Sequence, residues 1–171
     1  RRPRQYQLDA LNAWEKNGRV GILEMATGTG KTFTANLCIE SANKLGSLLT
    51  IVVAPYQHIA DQWARELENR EPYQVGSSGQ WRKDLQAYLL DAKLGLVENL
   101  TIVVVKNTAA TQDFVEKTNE LKSQFSNFLF VGDEVHWLGA STLQNALNPN
   151  ANFRLGLSAT PDRYFDETGT S

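Results

Sequence analysis

Short apolar runs rich in β-branched residues recur along the chain and alternate with stretches of helical spacing. Five runs are too short to be helices and predict buried strands, at residues 20–23, 48–54, 101–105, 128–131 and 153–157. Strands that alternate with helices favour a parallel sheet covered on both faces. The pattern therefore predicts a single α/β domain in three layers, α/β/α, with a mainly parallel central sheet.

Between the strands, apolar side chains recur at three- and four-residue steps, which predicts amphipathic helices. Four predicted buried stripes are Phe33, Leu37 and Leu45; Ile59, Trp63 and Leu67; Trp81, Leu85, Leu89 and Ala92; and Phe114, Thr118, Leu121 and Phe125. Trp14, Trp63 and Trp81 fall on or near helical stripes, so we assign them to the core or its rim rather than to base stacking. Residues 71–80 are rich in Gly, Ser and Pro and predict an exposed loop.

Composition narrows the class of protein. The 171 residues are 42% hydrophobic and 21% charged, the balance of an ordinary globular domain. No apolar run is long enough to cross a bilayer, and Arg1-Arg2-Pro3-Arg4 lacks the apolar stretch of a signal peptide. The single cysteine, Cys38, reads as a small buried hydrophobe and suits a reducing compartment. We expect a cytoplasmic protein without a membrane partner.

The strongest chemical signal lies between the first predicted strand and the next helix, and reads Ala26-Thr27-Gly28-Thr29-Gly30-Lys31-Thr32. Glycines let successive backbone N–H groups converge on an anion, and the helix start adds partial positive charge. Lys31 is expected to reach the β- and γ-phosphates of a nucleoside triphosphate, and the Thr32 hydroxyl to bind Mg²⁺. Met25 stands where the general P-loop pattern has its first glycine. The alternative is a turn that only caps the helix.

Two carboxylates follow the fourth predicted strand, in the segment Val131-Gly132-Asp133-Glu134-Val135-His136. Ligands of open α/β sheets gather at the carboxyl ends of the strands. Asp133 is expected to hold Mg²⁺ through its water shell, and Glu134 to orient and polarise the attacking water. A solvated acidic turn is the alternative, and the P-loop pattern upstream argues against it.

Five elements, in this order, resemble the motifs of superfamily-two DExH-box helicases and translocases. They are Arg4-Gln5-Tyr6-Gln7, the 26–32 loop, Ala54-Pro55-Tyr56 with Gln62-Trp63, Asp133-Glu134-Val135-His136, and Leu157-Ser158-Ala159-Thr160-Pro161. The resemblance covers residues 4–161 and looks closest to the branch of type III restriction enzymes and xeroderma pigmentosum B-type proteins. It implies a RecA-like P-loop NTPase fold, with ATP hydrolysis that depends on nucleic acid.

The resemblance also implies roles for residues outside the two strongest motifs. Gln7 would read the adenine base, with help from Arg4. Pro55, Tyr56 and Thr108 would contact the nucleic-acid backbone, although the family pattern is degraded around Thr108. The residues that would couple nucleotide state to movement of the lobes are His136, Ser158 and Thr160.

The family resemblance implies ATP and Mg²⁺ as cofactors and nucleic acid as a partner, with DNA favoured over RNA. We expect residues 1–171 to be the first RecA-like lobe, a fragment of a longer chain that lacks the second lobe. Such a lobe should be weakly active alone and form no stable homo-oligomer. The net charge of −2 gives no overall basic signature, but a strand held between two lobes needs only a local patch.

Two other functions stay open at this point. A P-loop kinase acting on a small molecule would need an acceptor pocket, and it would not explain Gln7 or Ser158 and Thr160. A catalytically silent interaction module would predict damage at Lys31, Asp133 or Glu134, and all three residues are present.

Overall fold

The computed structural model describes residues 2–25, 30–134 and 151–158. Its helices are α1 (Gln5–Lys16), α2 (Lys31–Asn43), α3 (Gln57–Glu66), α4 (Gln80–Lys93), α5 (Lys106–Ala109) and α6 (Gln112–Lys122). A 3-10 turn, Glu68–Arg70, follows α3. The strands are β1 (Val20–Glu24), β2 (Leu48–Ala54), β3 (Tyr73–Gln74), β4 (Asn99–Val105), β5 (Asn127–Asp133) and β6 (Phe153–Ser158). Among the described residues, no helix is both long and apolar enough to span a bilayer.

The strands form one sheet in the order β1-β6-β5-β2-β4-β3, and every described pairing is parallel. All five predicted strands are present, which confirms the predicted α/β class. Strand β2 lies in the middle of the sheet, and all seven of its residues are buried. A parallel strand buried on both faces needs a near-continuous apolar run, and residues 48–54 supply one in which Thr50 is the polar member.

Two hydrophobic clusters, one on each face of the sheet, make up the core. Side chains alternate between faces along a strand, so Leu48 and Val52 of β2 join the first cluster while Leu49 and Ile51 join the second. The first cluster is completed by residues of α1, α2 and α3, among them Trp14, Cys38 and Trp63. The second cluster is completed by residues of α4 and α6, among them Trp81, Leu85, Phe114 and Leu121. This is the predicted three-layer arrangement.

Three of the four predicted helical stripes pack into the core, with Ile59 and Ala92 only partly buried, and the stripe on α2 is wrong. Phe33 and Leu37 are only partly buried, and Leu45 lies beyond the end of α2 with 51% of its surface exposed. The buried face consists instead of Ala35, Cys38, Ile39 and Ala42. These positions also follow helical spacing, and their mostly small side chains let α2 lie close against the sheet.

The predicted loop at residues 71–80 contains a strand that the prediction missed. Tyr73 and Gln74 form β3, which pairs with β4 at the edge of the sheet. Two residues are too few to show a period, so sequence pattern could not reveal this strand. The second half of the segment, residues 76–80, is exposed as predicted.

Candidate nucleotide-binding site

The carboxyl ends of parallel strands meet at one edge of the sheet, and the predicted chemical residues lie along that edge. Strand β6 separates β1 from β5. Its last residue, Ser158, pairs with Glu24 of β1, and the residue before it pairs with Asp133 of β5. Helix α2 starts at Lys31, shortly after β1. The topology therefore brings the lysine of the P-loop to the two carboxylates that lie about a hundred residues later in the chain.

Lys31 binds both carboxylates. Its ammonium Nζ lies 3.0 Å from Oδ1 of Asp133 and 2.6 Å from Oε2 of Glu134. Burial favours a lower pKa for Lys31, but hydrogen bonds and charge attraction from Glu134 and Asp133 outweigh burial and raise the pKa above its ordinary value. Lys31 therefore stays positively charged throughout the physiological pH range.

Both carboxylate oxygens of Asp133 accept hydrogen bonds. It is the last residue of β5 and only 2% exposed. While Oδ1 accepts from Lys31, Oδ2 accepts a 2.7 Å hydrogen bond from the indole Nε1–H of Trp63. Buried charges in proteins are normally paired and hydrogen-bonded in this way. These two contacts fix the orientation of the Asp133 carboxylate at the edge of the sheet.

Two backbone positions at this edge have left-handed geometry. Gly30, directly before α2, has φ of 83°, and Glu134 has φ of 55°. Glycine takes this conformation without strain, whereas a glutamate does so at a cost. At Glu134 the unusual backbone turns the chain just after β5, and it accompanies the ion pair between this side chain and Lys31. Strain of this kind often marks a functional site.

A cavity of about 630 Å³ opens beside the start of α2. Its lining includes Gly30, Lys31 and Thr32 of the P-loop, and Gln62 and Arg65 of α3. The volume lies within the ordinary range for small-ligand sites. The ammonium of Lys31, the hydroxyl of Thr32 and the two carboxylates that Lys31 contacts are the groups that a triphosphate with Mg²⁺ requires. The described residues therefore fit both groups.

Hydrogen bonds between Arg4 and Gln7 cap the start of α1. The backbone N–H of Arg4 donates to Oε1 of Gln7 over 2.9 Å, and the backbone N–H of Gln7 donates to the Arg4 carbonyl over 3.0 Å. Gln7 is fully buried, while Arg4 is exposed. At its far end α1 is tied to the sheet, because the indole of Trp14 donates to the carbonyl of Arg154. The role of Gln7 and Arg4 in adenine recognition stays a prediction.

The residues predicted to contact nucleic acid lie at the carboxyl ends of β2 and β4. Pro55 is buried, Tyr56 is 59% exposed, and Thr108 is half-buried in α5. Two further side chains lie beside Tyr56. The ring of His58 stacks on the Tyr56 ring with centroids 5.9 Å apart, and Nζ of Lys106 lies 5.6 Å from the centre of that ring.

Lys106 could have been predicted for this surface, because it comes directly after a buried strand. The carboxyl end of such a strand is where ligands gather. We call Tyr56, His58 and Lys106 together the aromatic–basic cluster.

Several predicted residues lie outside the described part of the chain: Ala26, Thr27, Gly28, Thr29, His136 and Thr160. Ser158 is described and is only 3% exposed. Its backbone carbonyl accepts a 2.8 Å hydrogen bond from the N–H of Met25, the residue before the P-loop. The end of β6 is therefore tied directly to the start of that loop.

From the sequence, Trp63 was assigned to the core or its rim and to the motif that follows Tyr56, but to no chemical contact. The structure confirms that burial and adds a hydrogen bond to Asp133. A buried tryptophan usually finds an acceptor for its indole N–H. The sequence signal was therefore a tryptophan on a predicted buried stripe, but it did not reveal which acceptor lay opposite.

Residues 1–163 match the protein family described as the type III restriction enzyme, res subunit. The chain belongs to this family. It is 26% identical over 164 residues to a Halobacterium salinarum protein that carries the name of the DNA 3′-5′ helicase Rad25. The alignment covers 96% of this chain and 24% of that protein. The chain thus spans about a quarter of its curated relative, and the match agrees with the predicted restriction-enzyme and helicase branch.

Solved structures show the same fold. A nuclease-deletion mutant of the type ISP restriction-modification enzyme LlaGI, in complex with a DNA substrate mimic, matches with a TM-score of 0.72 and 23% identity. That match covers 94% of this chain and 18% of the enzyme. The UvsW helicase from bacteriophage T4 matches with a TM-score of 0.62 and 22% identity, over 95% of this chain and 54% of the helicase. The predicted RecA-like, helicase-type fold is confirmed.

Proposed function

We propose that this domain binds and hydrolyses ATP as one lobe of a nucleic-acid-dependent helicase or translocase. The observation that carries the proposal is the contact of Lys31 with both Asp133 and Glu134 at the carboxyl edge of the sheet. A lysine that opens a helix, and two carboxylates that end a buried strand, form the constellation that phosphoryl transfer requires. Membership of the family supports the same activity.

Each residue of the site has a distinct part in this proposal. Lys31 binds the β- and γ-phosphates, and its raised pKa keeps the ammonium charged for that task. Thr32 and Asp133 hold Mg²⁺, which when bound neutralises the charge of the phosphates. Glu134 accepts a hydrogen bond from the attacking water and orients it. Gln7 and Arg4 bind the adenine base.

The aromatic–basic cluster supports the nucleic-acid half of the proposal. An exposed tyrosine ring with a histidine stacked on it and a lysine near its face offers both a stacking surface and positive charge. Contacts of this kind hold a phosphate backbone without reading its sequence. DNA is the proposed nucleic acid, because one relative is named as a DNA helicase and one structural match was solved on a DNA mimic.

The substitution Glu134→Gln tests the proposed chemistry in a full-length protein that carries this domain. The amide keeps the shape of the side chain but cannot accept a proton from water. We expect ATP affinity to change little and steady-state hydrolysis to fall by about 10²-fold or more. Lys31→Ala is the matched control, and it should remove both binding and turnover. Equal losses of binding and turnover in Glu134→Gln would show that Glu134 has a structural role only.

A further inference from the structure

The buried indole of Trp63 donates a hydrogen bond to Asp133, the carboxylate that the proposed function assigns to magnesium. Its Nε1–H lies 2.7 Å from Oδ2 of Asp133, and both residues are 2% exposed. The two residues belong to different elements, α3 and β5, and lie seventy positions apart in the chain. The contact therefore depends on the packing of α3 against the sheet.

The contact restricts how Asp133 can turn. A carboxylate at the end of a strand can rotate about its side-chain torsions and exchange its two oxygens. Here Oδ1 accepts from Lys31 over 3.0 Å while Oδ2 accepts from the indole. Hydrogen bonds to an ionised acceptor are short and strong, and burial strengthens them. When Lys31 turns to a triphosphate, the hydrogen bond from the indole still holds Oδ2 of the carboxylate.

Trp14 shows that burial of an indole does not by itself require a carboxylate. Trp14 is also 2% exposed and belongs to the same hydrophobic cluster. Its Nε1–H donates over 2.9 Å to a backbone carbonyl, that of Arg154. In this cluster the indole N–H of Trp14 thus donates to a backbone carbonyl, whereas that of Trp63 donates to the carboxylate of Asp133.

We propose that Trp63 is a positioning residue, which holds the Asp133 carboxylate in the orientation that binds magnesium. This inference rests on the proposed function, because it gives Asp133 the same task. Residues that hydrogen-bond to a metal ligand fix its direction, and their loss commonly weakens metal binding by about 10–100-fold. The triphosphate also holds magnesium, so the loss expected here is near the lower end of that range.

The substitution Trp63→Phe keeps an aromatic ring in the core and removes the N–H. Binding of a fluorescent ATP analogue is measured against magnesium concentration and again in EDTA. We expect the magnesium concentration for half-maximal binding to rise about three- to tenfold, while affinity in EDTA changes less than about twofold. Trp14→Phe also removes a buried indole N–H, but its magnesium requirement should stay at the wild-type value. Equal magnesium requirements in the two variants would overturn the inference.

A second measurement does not require Trp63→Phe to fold. The protein has four tryptophans, and ¹⁵N labelling gives each indole N–H its own resonance. The resonance of Trp63 should shift in Asp133→Asn, because the acceptor loses its charge, and the resonance of Trp14 should not. An unmoved Trp63 resonance would overturn the inference. Failure of the wild-type protein to bind any nucleotide with magnesium would instead reject the proposed function itself.

Discussion

Lys31 binds two carboxylates at once, so an entering triphosphate must compete with both of them for one ammonium group. In the structure Nζ lies within 3.0 Å of Asp133 and Glu134. Asp133 also accepts a hydrogen bond from Trp63, so this carboxylate keeps a donor when the lysine turns to a triphosphate. The proposed function therefore assigns magnesium to an acid that has a further buried contact.

Residues that lie together were predictable here where a motif lies on a strand or helix end, while their chemical roles stay predictions. Lys31, Asp133 and Glu134 were assigned from the sequence, and the structure brings them into contact. Trp63 was not assigned to the site, because an apolar stripe shows that a side chain is buried but not what it faces. Lys106 was missed for a related reason, since its partner Tyr56 comes from another strand end.

Cys38 gives a prediction about pH. Burial raises the pKa of this thiol to about 12, with the carboxylate of Glu15 adding to the effect. An unfolded cysteine has a pKa of about 8.5. The thiol therefore favours the folded state fully below about pH 8.5, and this contribution is lost as pH rises from there towards 12. We expect the unfolding free energy to fall by about 1.4 kcal/mol per pH unit within that interval, from this residue alone.

Urea unfolding of the wild type and of Cys38→Ala between pH 8 and 10 measures this contribution. Other groups titrate in both proteins, so the difference between the two pH slopes isolates the thiol. A native thiol should also react slowly with an aromatic disulfide reagent and rapidly after unfolding. Parallel pH slopes, or fast labelling of the native protein, would show that Cys38 is more accessible than the structure indicates.

At the scale of elements, strands were easier to predict than the faces of helices. The run of β2 matches the observed strand at both ends, because a strand buried on both faces needs a near-continuous run of apolar and β-branched residues. Helix α2 was predicted as a helix but given the wrong face, because most of the residues that pack inward are smaller than Phe33 and Leu37. The size of the inward-facing residues decides how closely a helix packs on a sheet. The spacing of apolar residues in the sequence does not show that helix-to-sheet distance.

Helix α1 carries the next prediction, which separates base recognition from helix capping at Gln7. The structure gives Gln7 a capping contact with the backbone of Arg4, and the proposed function adds adenine recognition. Gln7→Ala should lower the unfolding free energy by about 1 kcal/mol through the lost cap. It should also weaken ATP binding more than GTP binding. Denaturant unfolding and nucleotide titrations measure the two effects.

Thr111→Ala supplies the matched control for a cap away from the site. The Thr111 hydroxyl accepts from the backbone N–H of Phe114 at the start of α6. Its loss should cost a similar free energy of about 1 kcal/mol and leave nucleotide affinities unchanged. If ATP and GTP affinities fall together in Gln7→Ala, Gln7 supports the shape of α1 and does not read the base.

At the scale of the whole molecule, the order of strands decides which motifs meet. The alternation of strands and helices predicts a parallel sheet, but it does not state that β6 lies between β1 and β5. That insertion follows from long-range packing, which a single sequence does not display. Because every described pairing is parallel, the described ends of β1, β5 and β6 still lie at one edge, with Lys31 beside them. The sequence motifs thus pointed to residues that meet at this edge, while the contacts among those residues were not predictable.

The last prediction concerns the activity of these 171 residues alone. In the proposed function, the described residues supply a phosphate-binding lysine, a magnesium ligand and an acid that orients water, all on one lobe. Arginines that reach a P-loop from outside are worth about 10³–10⁵ in rate, and we expect them to come from a second RecA-like lobe. The isolated domain should therefore bind Mg·ATP weakly and hydrolyse it slowly. Addition of single- or double-stranded DNA should change this rate little.

A steady-state ATPase assay on the isolated domain, with and without DNA, measures this directly. Glu134→Gln, purified in the same way, reports any contaminating ATPase. Addition of the second lobe as a separate polypeptide should raise turnover, and the increase should require Lys31 and Glu134. Strong DNA-stimulated turnover by the isolated wild-type domain, absent from Glu134→Gln, would mean that one lobe completes the site by itself. In that case the missing positive charge would have to come from within these 171 residues, and the two-lobe account would be wrong.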